Sequence, residues 1–370
     1  MPLAMDTTPR IPAGIRFAKL SGGTRIAWAA SGRGPALVRV AHWMTHVEKD
    51  LQSPLWQPWL VQLNQAVQLV RYDERGCGLS GADSAELGLE AALEELEAVV
   101  DAVVNETGQT QVALLGMSGA GAPAIAYAAK HPQRVSHLVL HGAYACGLLH
   151  RSPTAEQLQL FEATVKLMEL GWGRGDAAVQ QFLTTCFIPN STTAQAAAFT
   201  EQQRLSCGGA RAAAIFRARV GLDVRPLLAQ VRCPTLVLHA EGDAMVPIEQ
   251  GRVLAAQIDG ARFETLASRN HIPLAGEPAF ERFCRAIRDF VTQPQGKRAG
   301  TLPGTLAGAF TPRENQLMAL VAAGQDNLQI AAHLGVTDKT VRNSLSRLYT
   351  KLGVEGRPMA VVRTRELGFG

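Results

Sequence analysis

Short apolar runs recur along the first three-quarters of the chain. They alternate with stretches that repeat apolar residues at helical spacing. Residues 36–40, 66–70, 112–115, 137–140 and 235–238 are rich in Val and Leu and bounded by Gly or charged positions, the pattern of buried strands. Within 89–104, Leu93, Leu96, Val99, Val100 and Val103 fall on one helical face. Alternating β and α predicts an α/β fold with a doubly wound, mostly parallel sheet. Residues 144–222 show no strand pattern and are rich in Ala, Gln and Leu. They predict a helical cap inserted between two strands, over the C-terminal edge of the sheet.

Gly, Pro and polar residues dominate 293–304, and the segment 293–309 reads as a linker. Beyond it only helical spacing remains. Leu317, Leu320 and Val321 share one face of a first helix, opened by Thr311-Pro312-Arg313-Glu314, a capping box with proline in the first turn. Gly324 ends that helix. A second spans 327–334 with Ile330, Ala331 and Leu334 inward. Gly335 makes a tight turn and Thr337 caps a third helix. There Val341, Leu345, Leu348 and Leu352 form a buried stripe at i, i+4, i+7 and i+11. Lys339, Arg342, Asn343, Ser346 and Arg347 face mainly outward. This is a small all-α helix-turn-helix pattern, whose exposed helix fits a DNA major groove. The expected division is a larger domain at 1–292 and a smaller one at 310–370.

Composition agrees with two domains, since 370 residues exceed one ordinary core. Hydrophobic residues make up 47% and charged residues 18%, which excludes a disordered chain. No apolar run approaches the roughly 18 residues of a membrane span, and the N-terminus lacks a secretory pattern. Six scattered cysteines without a CxxC pair argue for free thiols in a reducing cytoplasm, so the expected localisation is cytoplasmic. The net charge of +4 is uneven: 1–292 hold 26 Lys/Arg against 27 Asp/Glu, and 310–370 hold eight against five. The positive excess sits where a polyanion partner needs it.

The candidate chemistry lies in the larger part. Gly116-Met117-Ser118-Gly119-Ala120-Gly121 follows a strand and precedes an Ala-rich helix, the context of a nucleophile elbow. Asp243 lies just past the strand at 235–238, and His271 lies in a loop before the last helix. Ser118, Asp243 and His271 come in the order in which this fold supplies nucleophile, acid and base. A serine needs an imidazole to take its proton, and the imidazole needs a carboxylate to hold its tautomer. Tyr72-Asp73-Glu74-Arg75-Gly76-Cys77-Gly78-Leu79-Ser80 is a fourth match. On these four matches, residues 15–292 resemble an α/β-hydrolase with a helical cap. The resemblance implies triad roles for Ser118, Asp243 and His271, and an oxyanion hole from the Trp43 and Gly119 N–H groups. One departure is Ala41-His42-Trp43, which puts His42 where the family usually has a glycine with an unusual backbone angle. Trp56, Trp59 and Trp172 read as core or pocket aromatics. The remaining histidines show no metal spacing, and no metal or other cofactor is expected.

The segment 310–370 resembles the LuxR-type C-terminal domain over its full length. The stretches that carry the likeness are 306/310–314, 327–330, Lys339-Thr340-Val341-Arg342-Asn343 and Lys351-Leu352-Gly353-Val354. The resemblance implies a homodimeric reader of double-stranded DNA that pairs through a last helix at 358–366. Its DNA-facing set is Lys339, Thr340, Arg342, Asn343, Arg347 and Lys351, with Lys339, Arg342 and Arg347 on phosphates or base edges and Asn343 in support. Ser344 and Leu328-Gln329 depart from the pattern and bear on the operator sequence. Together the two halves suggest a transcriptional regulator that senses a small, largely apolar carbonyl compound. The competing reading is a working esterase or lactonase with an appended DNA-binding domain.

Overall fold

The computed structural model describes residues 14–82, 87–172, 178–293, 312–322, 325–352, 354, 356–357, 360–361 and 364. The chain divides into two compact units, Met1–Gln295 and Gly296–Gly370.

The larger unit is built on eight strands: β1 (Ile15–Lys19), β2 (Arg25–Gly32), β3 (Ala36–Arg39), β4 (Gln68–Tyr72), β5 (Val112–Met117), β6 (Val135–His141), β7 (Thr235–Ala240) and β8 (Arg262–Leu266). They form one sheet in the order β1-β2-β4-β3-β5-β6-β7-β8. β2 runs antiparallel to β1 and β4, and β4 through β8 are mutually parallel. The helices are α1 (Gln57–Leu63), α2 (Leu89–Thr107), α3 (Gly121–Lys130), α4 (Ala155–Gly171), α5 (Ala178–Phe187), α6 (Thr193–Ser206), α7 (Gly209–Val220), α8 (Ile248–Gln257) and α9 (Pro278–Val291).

Strand periodicity divides the core. Leu37, Leu69, Leu115 and Leu238 point to the face packed by α1 and α9, while Val38, Val70, Leu114 and Val237 point to the face packed by α2, α3 and α8. Residues two apart share a face. The central strands are covered on both sides, which is why they read as continuous apolar runs. The run at 66–70 begins two residues before its strand. The N–H groups of Ala66 and Val67 both donate to Leu63 O, so these residues close the turn after α1. Three strands escaped the sequence pattern: β1 and β2, which carry charges along an antiparallel margin, and β8, which is mostly half-buried.

Between β6 and β7 the chain forms α4, α5, α6 and α7. Thr154 and Thr192 each make a reciprocal capping box, with Gln157 and Gln195, at the starts of α4 and α6. These helices are anchored by polar bonds. Gln202 Nε2 donates to Asp50 Oδ1 at 3.1 Å, and Asp50 is itself buried between Arg39 and Arg71.

The smaller unit contains α10 (Pro312–Ala322), α11 (Asn327–Leu334) and α12 (Asp338–Leu352). Leu317, Val321, Ile330, Ala331, Val341, Leu345 and Leu348 are buried in one cluster, joined by Met318 and Ala360. Asp326 caps α11 in a capping box with Gln329. Gly335 takes φ 62°, the left-handed turn between α11 and α12. Thr337 Oγ1 accepts from Thr340 N at 3.3 Å, capping α12. Thr311, Gly324, most of the linker and most of the expected helix at 358–366 lie outside the described residues.

Candidate active site and DNA-binding unit

The three strands that carry the site lie within one half of the sheet, and each supplies its residue from its C-terminal end. Ser118 follows β5, Asp243 follows β7 and His271 follows β8, with β6 between the first two. Ser118 takes φ 50°, a strained angle for a residue with a Cβ. It is half-buried while its neighbours Met117 and Gly119 are buried, so the turn turns the serine outward. Gly121 makes the turn possible, since a Cβ there would lie 2.5 Å from Ala143 Cβ.

His271 Nδ1 and Asp243 Oδ2 are 2.7 Å apart. Asp243 Oδ1 accepts from the N–H groups of Met245 and Val246, each at 2.8 Å. Burial disfavours ionising this carboxyl, but His271 and the two N–H donors outweigh it and hold its pKa below the ordinary value. The carboxylate is thereby kept charged and aimed, as an imidazole-orienting acid requires.

Two further histidines frame this pair. His141, the last residue of β6, places Nε2 2.9 Å from His271 O. Burial pushes its pKa down to about 3, so it is neutral and positions the His271 backbone. His239 has its Nε2 3.0 Å from Val246 O and 3.5 Å from Asp243 Oδ2, and burial lowers its pKa too. Their position at the ends of buried parallel strands, with His239 four residues before Asp243, was the available signal. Gly142, at φ 53°, passes so close that a Cβ would lie 2.7 Å from His271 Cε1.

His42 does not adopt a left-handed angle. Among the described non-glycine residues that do, the neighbouring one is Met44, at φ 52°, so the loop after β3 strains two residues later than the family pattern suggested. His42 is buried against Trp56, with ring centroids 5.0 Å apart, and burial lowers its pKa to about 3. Arg219 of α7 ties the two expected oxyanion elements together. It donates to Glu74 Oε2 at 2.5 Å, to Ala41 O at 3.4 Å and to Gly119 O at 3.5 Å. Sequence reasoning missed this residue, because nothing local to α7 marks it.

The protein's own aromatics cluster on the cap side. Trp43 stacks on Phe187 with centroids 6.1 Å apart and meets Trp172 and Phe216 edge-on. Phe187 lies 5.6 Å from the His271 ring, and Phe187 O accepts the His271 N–H at 2.8 Å. Asn270 Oδ1 accepts from Asn190 N at 2.9 Å. The end of α5 thus holds the backbone of the His271 loop. A cavity of about 30 Å³ near Glu74 and Arg219 has room for about one water. Trp56 and Trp59 are fully buried, and Trp59 Nε1 donates to Pro273 O.

In the smaller unit Lys339, Thr340, Arg342, Asn343 and Arg347 are all exposed on α12. Lys351 lies in the same helix, outside the described side chains. Arg342 pairs with Asp338 at 2.6 Å. An exposed pair of this kind contributes roughly 0.2–1 kcal/mol, so a phosphate can replace it.

Among the described residues no group of His, Cys, Asp and Glu could hold a metal ion, and no helix is long and apolar enough to cross a membrane.

Residues 51–278 match the alpha/beta hydrolase fold family, and residues 308–364 match the bacterial regulatory proteins of the luxR family. The chain is 51% identical over 53 residues to the probable transcriptional regulatory protein SgaR of Hyphomicrobium methylovorum; the match covers 14% of this chain and 25% of that protein. It is 27% identical over 252 residues to the putative carbamate hydrolase RutD of Variovorax paradoxus, covering 65% of this chain and 88% of the relative. Among solved structures, an esterase from Exiguobacterium antarcticum aligns with a TM-score of 0.62 at 21% identity, over 75% of this chain and 99% of that one. The fold, the ordered site elements and the extent of the family match agree: the chain belongs to the alpha/beta hydrolase fold family and carries a C-terminal LuxR-type DNA-binding domain.

Proposed function

We propose that this protein is a transcriptional regulator whose hydrolase-like domain senses a small carbonyl-containing ligand beneath the cap. The single observation that carries the reading is the LuxR-type domain joined in one chain to a hydrolase-fold domain that holds an oriented Asp243–His271 pair and a strained Ser118. Trp43 and Phe187 stack on the cap side, Phe187 against the His271 ring, where a ligand near His271 would meet them. Phe187 is bonded to His271, so the ligand-bound and ligand-free domains differ in the cap. A ligand that prefers one of these states shifts the equilibrium, and a coupling of about 1–3 kcal/mol to operator affinity is typical. The regulator acts as a cytoplasmic homodimer on double-stranded DNA, through Lys339, Thr340, Arg342, Asn343, Arg347 and Lys351.

The second reading is an active serine esterase or lactonase, with Ser118 as nucleophile, His271 as base, Asp243 as orienting acid, and Trp43 and Gly119 as oxyanion donors. The ordered carboxylate–imidazole pair favours it. Cleavage of p-nitrophenyl esters by the wild type and Ser118→Ala, with promoter retention measured in parallel, separates the two. Loss of cleavage with retained ligand-dependent DNA binding supports sensing without chemistry. Fast turnover with no DNA retained at low salt overturns the regulator.

A further inference from the structure

Three sulfur atoms from three separate segments meet where the cap touches the core. Cys77 belongs to the loop 73–80 after β4, Cys207 ends α6, and Met44 lies in the strained loop after β3. Gly78 N donates to Ser206 O at 2.8 Å, so the residues next to both cysteines are already bonded across the cap–core boundary. Cys207 Sγ lies 3.4 Å from Met44 Sδ. The Cys77 thiol in turn donates to the Cys207 sulfur, which together with burial raises the Cys77 pKa well above its ordinary value. Both cysteines are free thiols; Cys77 is buried and Cys207 is half-buried.

We propose that Cys77 and Cys207 form an oxidation site, closed by a peroxide-class oxidant into a disulfide that staples the cap to the core. The first step transfers one peroxide oxygen to Cys207 Sγ. This sulfur is oxidised to the sulfenic acid, the O–O bond breaks, and the peroxide leaves as its alcohol, or as water for hydrogen peroxide. Cys77 sulfur then attacks the sulfenyl sulfur. The S–S bond forms, the S–O bond breaks, and the hydroxyl leaves as water with the Cys77 proton. Two thiols and one peroxide thus yield one disulfide, one alcohol and one water. The cross-link holds the α6–α7 corner against the loop 73–80, beside the Arg219–Glu74 pair. The inference does not depend on the ligand or on ester turnover.

The test uses the reduced full-length chain, treated with hydrogen peroxide, denatured, alkylated and mapped by mass spectrometry. Reactive thiols fall from six to four, the protein loses the mass of two hydrogens, and one linked peptide pair contains Cys77 and Cys207. Dithiothreitol restores all six. Cys77→Ser and Cys207→Ser each abolish that pair, and the wild-type map stands alone should either variant fold poorly. In the oxidised protein, amide exchange across α6 and α7 slows. Linkage scattered over the other cysteines, over-oxidation of Cys207 with Cys77 still reduced, or unchanged exchange once the bond has formed overturns the proposal.

Discussion

The larger unit buries its candidate functional groups, whereas the smaller exposes them. Asp243 and His271 are at most 2% exposed and have fixed partners, while Arg342 is 66% exposed and held by one surface pair. The contrast is the one expected of the two chemistries these families represent. Acyl transfer needs a proton acceptor whose position and charge are set before the substrate arrives, and low dielectric strengthens that arrangement. Recognition of a duplex relies on mobile cations that exchange water and counterions for phosphate, which works only in solvent. The supporting cores differ in the same sense. The hydrolase unit packs both faces of an eight-stranded sheet, while the DNA-binding unit depends on one small cluster.

The sharpest way to break the comparison is Asp243→Asn. Under the hydrolytic reading it lowers kcat by about 10⁴, by analogy with the serine-protease triad; an ester assay with a fold check by circular dichroism decides it. Retained turnover would mean that Asp243 only supports the loop. Arg219→Met comes next. It leaves buried Glu74 unpaired and is expected to cost about 3–5 kcal/mol by urea unfolding. Leu348→Ala opens the small cluster at its centre. It should cost about 2–5 kcal/mol, abolishing DNA retention while the near-UV signal of the hydrolase unit persists.

A smaller effect comes from pH. His141 has a folded pKa of about 3 against an ordinary 6.5, so below pH 6.5 the unfolded chain binds a proton that the folded chain does not. Its contribution is full above pH 6.5 and is lost as pH falls toward 3. Asp73 and Glu95, raised by burial to about 7, act in the opposite sense, because their folded forms hold protons that the unfolded chain gives up above about pH 4. His141→Asn should therefore make the acid loss of stability shallower by about 1.4 kcal/mol per pH unit below 6.5, measured by urea unfolding at pH 7 and pH 5. The smallest effect is Arg347→Ala, which should lower the slope of log affinity against log salt by about 0.9. An unchanged slope would remove Arg347 from the phosphate-facing set.

Much of the architecture was legible in sequence because its causes are local. Central strands covered on both faces announce themselves as apolar runs, and α12 does so through Val341, Leu345 and Leu348. The order of Ser118, Asp243 and His271 was legible for the same reason, since each follows a strand at a short, recognisable turn. The margins were not: β8 has the half-buried pattern of an edge, so its period is blurred. His42 shows the limit of a local rule. The family pattern locates a strained loop, but the residue that bears the strain is Met44, while His42 packs against Trp56.

The chain by itself determined the central strands, the main helices and the order in which Ser118, Asp243 and His271 follow their strands. Hydrophobic period and turn chemistry act over a few residues, within reach of a sequence. Only the tertiary structure decided what holds those side chains. Phe187 O reaches His271, Arg219 reaches Glu74 and Gly119, and Cys207 meets Met44, each pair joining segments far apart in the chain. Such contacts arise when a sheet edge and a cap close on one another, and no local spacing encodes them.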